Sequence, residues 1–431
     1  MSLFFYFTFV DSNNILMKKL NMKRFGFAAL GMLFFAFTIL FAVPGCQAAD
    51  GKTPDKPYLI VLSMDGFRWD YPAKAHTPNL DKIAASGVRA DAIVPSFPTK
   101  TFPNHYTMAT GLYPDNHGIV LNEFYDPERK AFYAVSDRKT VEDGSFYGGE
   151  PVWVTAENQG MKSATLFWVG SEAAIKGVRP SIWKNYKHRM PYESRIDTVI
   201  SWLQLPDSIR PHLIMWYLAE PDGVGHDFGP DSPEIVACVE RLDSLLGVFM
   251  FKLQQLPIAA QVNFIATSDH GMCPISNDRL IQINQFVDTA WIAEIQGNNP
   301  VFTIKANAGF DDEIESALSK VAHLKLWRSG HLPERLHYGN NPRTLDFVVV
   351  ADSSWSVDYA SDDGYNGGAH GFDNANSDMG AIFYATGPAF KQGFVNGKFP
   401  NTDLYALMCE ILKLNPAKTD GNLTDVKGML K

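Results

Sequence analysis

The sequence predicts an α/β fold in which a central, mostly parallel sheet is flanked by helices. Short apolar runs alternate along the chain with stretches of helical periodicity, an order that is typical of layered α/β proteins. The runs are continuously hydrophobic, which indicates strands that are buried on both faces. The predicted strands cover Tyr58–Met64, Ala164–Val169, Leu213–Leu218, Val262–Thr267, Phe347–Val350 and Ala381–Ala385.

The helices between these strands have recognisable ends. Ser232-Pro233 is typical of a helix start, and the apolar residues that follow it keep to one helical face. Thr77-Pro78 begins another helix, which Gly87 ends. A third helix is expected near Asp311–Val321. The sequence shows neither an internal repeat nor a low-complexity segment.

The N-terminal segment has the layout of a signal peptide. A short basic stretch at residues 22–24 precedes 19 uncharged residues and then Val43-Pro44-Gly45-Cys46. The Gly-Cys ending resembles a bacterial lipobox, so residues 22–46 predict an exported lipoprotein of the periplasm, outer membrane or cell surface. An ordinary cleaved signal and an uncleaved anchor are the alternatives. Residues 1–21 are expected to be a non-native extension, and residues 47–57 a polar tether.

Composition narrows the classes of function. The chain has 431 residues, of which 46% are hydrophobic and 20% charged, as expected of a globular protein with a large core. A net charge of −9 argues against binding of nucleic-acid polymers and predicts weak repulsion of small anions. A phosphate ester would therefore need local positive charge, which metal ions can provide. The four cysteines form no CxxC pair and indicate neither a thiolate zinc site nor a disulfide framework.

Three of the predicted strands end directly in acidic or imidazole residues. These are the segments LIVLSMDG, LIMWYLAEPDGVGH and NFIATSDHG. Because parallel sheets place their sites at the carboxyl ends of the strands, these side chains are expected to converge. With Thr101 and a histidine from GGAHGFDN, the candidate metal ligands are Asp65, Thr101, Asp222, His226, Asp269, His270 and His370.

Seven oxygen and nitrogen ligands without thiolate suit two catalytic zinc ions, because one tetrahedral ion takes about four. Two ions roughly 4 Å apart can hold the attacking and leaving oxygens of a phosphoryl displacement. Each motif alone is weak, since a lone Asp after a strand is usually a helix cap. Their joint occurrence, with TKTFPNHY between them, favours a binuclear site. The histidines His105, His117, His331 and His337 are expected to be structural or surface residues.

Long motifs across residues 58–430 resemble the nucleotide pyrophosphatase/phosphodiesterase branch of the alkaline phosphatase superfamily. They are SMDGFRWDY, PSFPTKTFPNHYTMATGLYPDNHGI, FWVGSEAAIKGVRP, WYLAEPDGVGHDFGP, TSDHGM, LPERLHYGNNPR and GAHGFDNANSDMGAIFYATGPAF. The resemblance implies an alkaline-phosphatase-like catalytic domain over residues 58–431. It also implies a small α+β cap, inserted at about residues 272–365. Together with the lipobox, it suggests a bacterial member.

The resemblance also implies roles for the site residues. One zinc ion would be bound by Asp65, Thr101, Asp269 and His270, and the other by Asp222, His226 and His370. Thr101 would be the nucleophile that forms a covalent phosphoryl intermediate, and Asn122 would donate to a phosphoryl oxygen. Phe102 and Tyr186 match positions that sandwich a nucleotide base, with ordinary core packing as the alternative for both.

The implied partners are small phosphodiesters, with nucleotides favoured, and membrane contact only through the N-terminus of a monomer. The alternatives within enzymes are a phosphomonoesterase and a lysophospholipid or choline phosphodiesterase. An inactive surface-binding lipoprotein is the alternative from another class. The residues leave the natural diester undecided, because that choice depends on the shape of the substrate pocket.

Overall fold

A computed structural model of the protein describes residues 56–360 and 364–431. The predicted signal peptide, the extension before it and most of the tether lie outside these residues. The strands, in chain order, are β1 (Tyr58–Met64), β2 (Val88–Ala90), β3 (Ile93–Val94), β4 (Glu123–Asp126), β5 (Ala131–Ala134), β6 (Ser163–Leu166), β7 (Ile182–Lys184), β8 (Leu213–Leu218), β9 (Val262–Thr267), β10 (Cys273–Ile275), β11 (Leu280–Gln282), β12 (Ile292–Asn298), β13 (Val301–Ala306), β14 (Leu324–Arg328), β15 (Phe347–Ala351), β16 (Ser356–Asp358), β17 (Gly367–Ala369), β18 (Phe383–Thr386), β19 (Phe394–Asn396) and β20 (Phe399–Pro400).

The α-helices of the same residues, also in chain order, are α1 (Tyr71–Lys74), α2 (Pro78–Ser86), α3 (Thr101–Thr110), α4 (Pro114–His117), α5 (Arg138–Val141), α6 (Val152–Asn158), α7 (Tyr192–Leu203), α8 (Asp222–Phe228), α9 (Pro233–Gln254), α10 (Asp311–Leu318) and α11 (Asp403–Leu412). The predicted capping of α9 is present, because the Ser232 side chain accepts a hydrogen bond of 3.2 Å from the Ile235 N–H. None of the helices in the described part of the chain is long and apolar enough to cross a membrane.

Eight strands form the central sheet in the order β19-β2-β18-β9-β1-β8-β6-β7. Strand β18 is antiparallel to both of its neighbours, while the other pairs in this sheet are parallel. The predicted α/β fold with a mostly parallel sheet is therefore confirmed.

Alternate residues of β1 face opposite sides of this sheet, as the pleat of a strand requires. Leu59 and Val61 join a core that includes residues of α3, α6 and α11. Ile60 and Leu62 join a second core that includes residues of α2, α7 and α9. Because both faces of the strand are buried, its sequence is continuously hydrophobic.

Two of the predicted strands differ from their expected arrangement. The run at Ala381–Ala385 forms β18, which is antiparallel to its neighbours. The run at Phe347–Val350 forms β15, which belongs to a separate antiparallel sheet of order β12-β13-β15-β14. Burial explains why this run has the same apolar pattern as the central strands: Val348 packs in the main core and Val349 in a third core, so β15 is also buried on both faces.

This second sheet and α10 lie within the segment where an α+β cap was expected. Helix α10 begins at Asp311, as predicted, and ends at Leu318, before the expected end at Val321. Ile314 and Leu318 of α10 pack with the sheet in the third core. The main chain of Asn299, between β12 and β13, accepts a hydrogen bond of 2.6 Å from Lys100 Nζ. The connection between β12 and β13 thereby contacts the residue that precedes Thr101.

Candidate active site

The carboxyl ends of three central strands carry acidic residues. Asp65 directly follows β1, and Asp269 lies two residues after the end of β9. Asp222 is the first residue of α8, which follows β8, and its main-chain N–H donates to the Asp65 carbonyl at 3.0 Å. His226 lies one turn after Asp222 on the same helix. The sheet thus brings together the three acidic residues that the sequence placed at strand ends.

Thr101 lies at the amino end of α3 and faces this acidic edge. Its Oγ1 atom is 3.2 Å from His270 Nε2. The same histidine nitrogen lies 3.4 Å from Asp65 Oδ1 and 3.0 Å from Asp269 Oδ2. The four side chains expected to bind one zinc ion therefore form one cluster.

The other three expected ligands form an adjoining cluster. Asp222 Oδ1 lies 3.4 Å from His226 Nε2 and 3.6 Å from His370 Nε2. The His370 ring stacks on His270 with 3.5 Å between ring centroids, and the centroids of His226 and His370 are 5.0 Å apart. The two clusters thus meet at the stacked His270 and His370. The structure brings all seven predicted ligands together.

Unpartnered oxygens show that these residues fit a bound cation. Asp65 Oδ1, Asp222 Oδ1 and Asp269 Oδ2 are buried atoms without a hydrogen-bond partner. Buried polar atoms are normally paired, because an unpaired one costs about 1–3 kcal/mol and a charged one more. Three such carboxylate oxygens among imidazole nitrogens are suitable ligands for zinc.

The histidine rings are oriented for metal binding. Nδ1 donates to a main-chain carbonyl in each of the three: His226 to Gly368 at 2.9 Å, His270 to Gly271 at 2.9 Å and His370 to Thr99 at 2.8 Å. Nδ1 therefore carries a hydrogen, and Nε2 is the nitrogen that faces the site, where its lone pair would bind a metal ion, as metal-binding histidines require.

The carboxylates repel one another when no cation neutralises them. Burial raises the pKa of Asp65 well above its usual value, and the charges of Asp269 and Asp222 raise it further. Burial also opposes ionisation of Asp269, but the charges of His270 and His105 outweigh it and hold the pKa of Asp269 well below its usual value. A divalent cation between these groups would favour ionised Asp65 as well.

Two residues around the ligands were not predicted to act at the site. Tyr217, on β8, donates its hydroxyl hydrogen to Asp65 Oδ2 at 2.5 Å. His105 was expected to be structural, and it is fully buried one turn after Thr101 on α3. Its Nδ1 hydrogen-bonds to the main-chain carbonyl of Thr101 at 3.0 Å and lies 3.2 Å from Asp269 Oδ2, and its Nε2 is 2.9 Å from Ser63 Oγ. His105 therefore holds the main chain of Thr101 and lies close to Asp269. The one signal for this in the sequence is its spacing of four residues from Thr101.

Lys100 places a basic group next to the nucleophile position. The side chain is buried, and burial lowers the pKa of Lys100 to about 7, against the opposing charge of Asp222. Its Nζ donates to the main-chain carbonyl of Asn299, between β12 and β13. Lys100 thus ties the connection between β12 and β13 to the start of α3.

Asn122 lies beside the amino end of α3. Its side-chain Oδ1 accepts a hydrogen bond of 3.0 Å from the main-chain N–H of Phe102. This contact fixes which end of the amide is the oxygen. The Nδ2 hydrogens of Asn122 remain available for an oxygen atom bound near Thr101.

An aromatic pocket of about 220 Å³ opens next to Thr101. Its lining includes Phe102 and Tyr186, the two residues expected to contact a base. The Tyr186 ring is 37% exposed and packs edge-on against Phe167, with centroids 5.3 Å apart. Exposure at the mouth of a pocket favours ligand contact over core packing for Tyr186. Trp168 and Tyr217, which the sequence did not single out, also line the pocket.

A charged pair lies in the same pocket. Glu172, 6% exposed, binds the Arg138 guanidinium through both carboxylate oxygens, and one of them also accepts from the Tyr186 N–H. Arg138 is further paired with Glu142. The pocket therefore combines aromatic faces with one donor-acceptor edge, which is suited to a planar heterocycle.

Comparison with known proteins agrees with this geometry. The family model described as type I phosphodiesterase / nucleotide pyrophosphatase matches residues 59–373. The chain belongs to this family. It is 38% identical to venom phosphodiesterase CdcPDE of Crotalus durissus collilineatus over 90% of this chain and 47% of the venom protein. It therefore spans about half the length of that relative.

A relative of more similar length is human ectonucleotide pyrophosphatase/phosphodiesterase family member 5. It is 34% identical over 92% of this chain and 83% of its own length. The fold also matches a solved structure of murine ectonucleotide pyrophosphatase/phosphodiesterase 5, described as an inactive threonine-to-alanine variant in complex with AMP. That match has a TM-score of 0.83 and 34% identity, and covers 87% of this chain and 100% of the murine one. The predicted membership of this branch of the alkaline phosphatase superfamily is confirmed.

Proposed function

We propose that this protein is a two-zinc phosphodiesterase or nucleotide pyrophosphatase. It would cleave phosphodiester or phosphoanhydride bonds of nucleotides through a covalent phosphoryl intermediate on Thr101. One observation carries the proposal: the Thr101 hydroxyl lies between buried carboxylates with unpartnered oxygens and the aromatic pocket. The carboxylates suit metal ions, and the aromatic pocket suits a nucleoside.

The zinc ions, when bound, would supply the positive charge that acidifies the Thr101 hydroxyl and stabilises the charge of the phosphoryl group. The clustering around His270 Nε2 supports Asp65, Thr101, Asp269 and His270 as ligands of one ion. The contacts of Asp222 Oδ1 support Asp222, His226 and His370 as ligands of the other.

The protein's own residues then perform the displacement in two steps. Thr101 gives up its hydroxyl proton to solvent and forms a bond from Oγ1 to phosphorus, while the leaving oxygen departs with the electrons of the broken bond. Water next attacks the same phosphorus atom and loses a proton, the bond from Oγ1 to phosphorus breaks, and Oγ1 takes up a proton to restore the Thr101 hydroxyl. The Asn122 amide, held by the Phe102 N–H, donates to a non-bridging oxygen during both steps.

The aromatic pocket would hold the nucleoside that stays on the phosphoryl group. Phe102 and Tyr186 offer ring faces for stacking, and the Arg138–Glu172 pair offers a polar edge. The AMP complex of the murine relative supports a nucleoside in this role. The inactivity of its threonine-to-alanine variant also supports a threonine nucleophile.

A panel of substrates tests the proposed function. Wild-type protein and Thr101→Ala are assayed with p-nitrophenyl-TMP, p-nitrophenyl phosphate, ATP, NAD and lysophosphatidylcholine. Nucleotide substrates should be turned over by the wild type, and the variant should lose nearly all turnover because the covalent route is gone. Turnover of lysophosphatidylcholine alone would move the assignment to a lipid diester. Full activity of Thr101→Ala would exclude the threonine mechanism.

We further propose that the protein is exported as a lipoprotein through residues 22–46, that Cys46 becomes its N-terminus, and that residues 58–431 form the catalytic domain. The support is the order of basic, apolar and Gly-Cys segments. Mass spectrometry of the exported protein should find a lipid on Cys46. An unmodified N-terminus at Ala48 or later would indicate a cleaved, soluble form.

A further inference from the structure

The buried ring of His105 lies where three elements of the site meet. Its Nδ1 hydrogen-bonds to the Thr101 carbonyl at 3.0 Å and lies 3.2 Å from Asp269 Oδ2. Its Nε2 is 2.9 Å from the hydroxyl oxygen of Ser63, which lies on β1 two residues before Asp65. One ring thus contacts the nucleophile position, one candidate ligand and the strand that leads to another.

The direction of these bonds shows what the ring does. Both neighbours of Nδ1 are acceptors, because a carbonyl oxygen and an ionised carboxylate carry no hydrogen. Nδ1 therefore carries a hydrogen, which it donates to the Thr101 carbonyl and which also lies near Asp269 Oδ2. Because this bond goes to the main chain of Thr101 and not to its hydroxyl, His105 is placed to hold the residue.

Aromatic neighbours fix the His105 ring in this orientation. The ring contacts Trp168 and Tyr217 edge to face, with centroids 5.3 Å and 5.2 Å away. Trp168 Nε1 also donates to the His105 carbonyl at 3.1 Å. A side chain in so closely packed an interior has little freedom to turn. His105 is therefore a rigid link between the groups that it contacts.

This link joins two separate parts of the chain. Thr101 is the first residue of α3, whereas Asp269 follows β9. Asp269 Oδ1 accepts from the Gly66 N–H at 3.2 Å, while Oδ2 lies near the rings of His105 and His270. A misplacement of reacting groups by about 1 Å can cost roughly 10²-fold in rate. The relative position of Thr101 and Asp269 therefore matters for the reaction.

We propose that His105 is a positioning residue that holds the main chain of Thr101 next to Asp269, so that Oγ1 stays at the ligand cluster. The inference rests on the proposed function, because it takes Thr101 as the nucleophile. It assigns no proton transfer to His105, since both ring nitrogens face protein groups in the buried interior.

Two amide variants separate the two sides of the ring. The amide nitrogen of asparagine can take the place of Nδ1, and that of glutamine the place of Nε2. His105→Gln loses the bond to the Thr101 carbonyl and should lower kcat for p-nitrophenyl-TMP by about 10²-fold, with KM changed by less than about 3-fold. His105→Asn keeps this bond and should retain kcat within about 5-fold of the wild type. Wild-type kcat in His105→Gln, or equal losses in both variants, would overturn the proposal.

His117→Gln is the matched control for these changes. His117 is also fully buried, but its ring nitrogens bond to Thr107 and to the Ile119 N–H and not to a candidate ligand. The control should lower the free energy of unfolding and keep the wild-type kcat. A loss of kcat equal to that of His105→Gln would overturn the proposal, because kcat would then follow stability.

A leucine variant covers the case in which His105→Gln does not fold. His105→Leu has neither hydrogen bond and is then compared with His105→Asn. The asparagine variant should be faster by at least about 10-fold, because it alone restores the donor to the Thr101 carbonyl. Equal kcat in the two variants would overturn the proposal.

The pH profile distinguishes holding from proton transfer. If His105 took the Thr101 proton, His105→Asn would remove a titrating group and one limb of the plot of kcat against pH. Positioning predicts a plot of the same shape in His105→Asn and the wild type. A lost limb would overturn the proposal.

Zinc binding separates this inference from the proposed function, because it does not depend on turnover. Calorimetric titration of the metal-free proteins should give a zinc dissociation constant about 10-fold higher for His105→Gln and unchanged for His105→Asn. If the wild type turns over no phosphodiester, the proposed function fails, and the zinc result still decides whether His105 positions the site. Equal zinc affinity in all three proteins would overturn the inference.

Discussion

The hydroxyl of Tyr217 on β8 donates a hydrogen bond of 2.5 Å to Asp65 Oδ2 at the end of β1. This bond occupies one carboxylate oxygen and leaves Oδ1, which has no partner, directed at the ligand cluster. We expect Tyr217→Phe to weaken zinc binding by about 10- to 100-fold, because the bond that orients a ligand is lost. Competition with a chromogenic chelator measures the zinc dissociation constant.

The control for this change is Tyr338→Phe. Tyr338 is also buried, but its hydroxyl donates to the Val120 carbonyl at 3.1 Å and not to a candidate ligand. Tyr338→Phe should lower the free energy of unfolding without changing the affinity for zinc. Equal zinc affinity in Tyr217→Phe and the wild type would show that Tyr217 only packs.

Asn122 should act as a donor to the phosphoryl group. Asn122→Ala is expected to lower kcat by on the order of 10²-fold, the usual effect of removing one oxyanion donor. In the wild type, the Phe102 N–H donates to Asn122 Oδ1 at 3.0 Å. Asn122→Asp keeps an acceptor for this N–H, but it has no donor and adds negative charge. It should be at least as inactive as the alanine variant. Steady-state kinetics with p-nitrophenyl-TMP that found normal kcat for Asn122→Asp would exclude the donor role.

His117 predicts a pH dependence of stability away from the site. The Ile119 N–H donates to its Nδ1 at 3.1 Å, so Nε2 carries the hydrogen and donates to Thr107 Oγ1 at 3.0 Å. Burial lowers the pKa of His117 to about 3, whereas an unfolded histidine has a pKa of about 6.5. Below about pH 6.5 the unfolded chain binds a proton that the folded chain does not, so the free energy of unfolding falls as pH drops toward about 3.

Urea unfolding of the wild type and His117→Gln at pH 7 and pH 5 checks this expectation. From pH 7 to pH 5, the free energy of unfolding of the wild type should fall by about 2 kcal/mol more than that of His117→Gln. Comparing the two proteins at each pH cancels the protonation of the metal ligands, which they share. A difference that is the same at both pH values would mean that His117 titrates normally in the folded protein.

The site should prefer diesters to monoesters. A phosphomonoester carries one more negative charge, and Arg138, which lines the aromatic pocket, is already paired with Glu172 and Glu142. We expect kcat/KM for p-nitrophenyl-TMP to exceed that for p-nitrophenyl phosphate by at least roughly 10²-fold, or about 2.7 kcal/mol. Initial-rate kinetics under one set of conditions gives the ratio. Equal or faster monoester turnover would favour the phosphomonoesterase alternative.

The sequence predicted the strands that carry the ligands because their apolar runs end abruptly in polar residues. Strands β1, β8 and β9 have the predicted ends. Strand β6 ends at Leu166, earlier than expected, where Phe167 adopts a left-handed backbone with a φ of 71°. The direction of β18 and the separate sheet of β15 could not be predicted, because burial on both faces gives the same apolar run in either arrangement.

Side chains that support the ligands were harder to predict. Tyr217 lies inside an apolar strand, where an aromatic residue reads as core, and only its tertiary contact with Asp65 reveals another role. The Arg138–Glu172 pair joins residues 34 apart, which no local pattern connects. Sequence motifs therefore indicated which residues could bind metal, but pairing between distant segments shapes the pocket.

Zinc titration of metal-free protein tests the central claim most directly. A chelator removes bound metal, and activity toward p-nitrophenyl-TMP is then measured as zinc is added in known ratios to the protein. Because the ligands form two adjoining clusters, activity should be absent without metal and should reach its plateau at two zinc ions per chain. Full activity of the metal-free protein, or a plateau at one zinc ion per chain, would contradict the two-zinc mechanism.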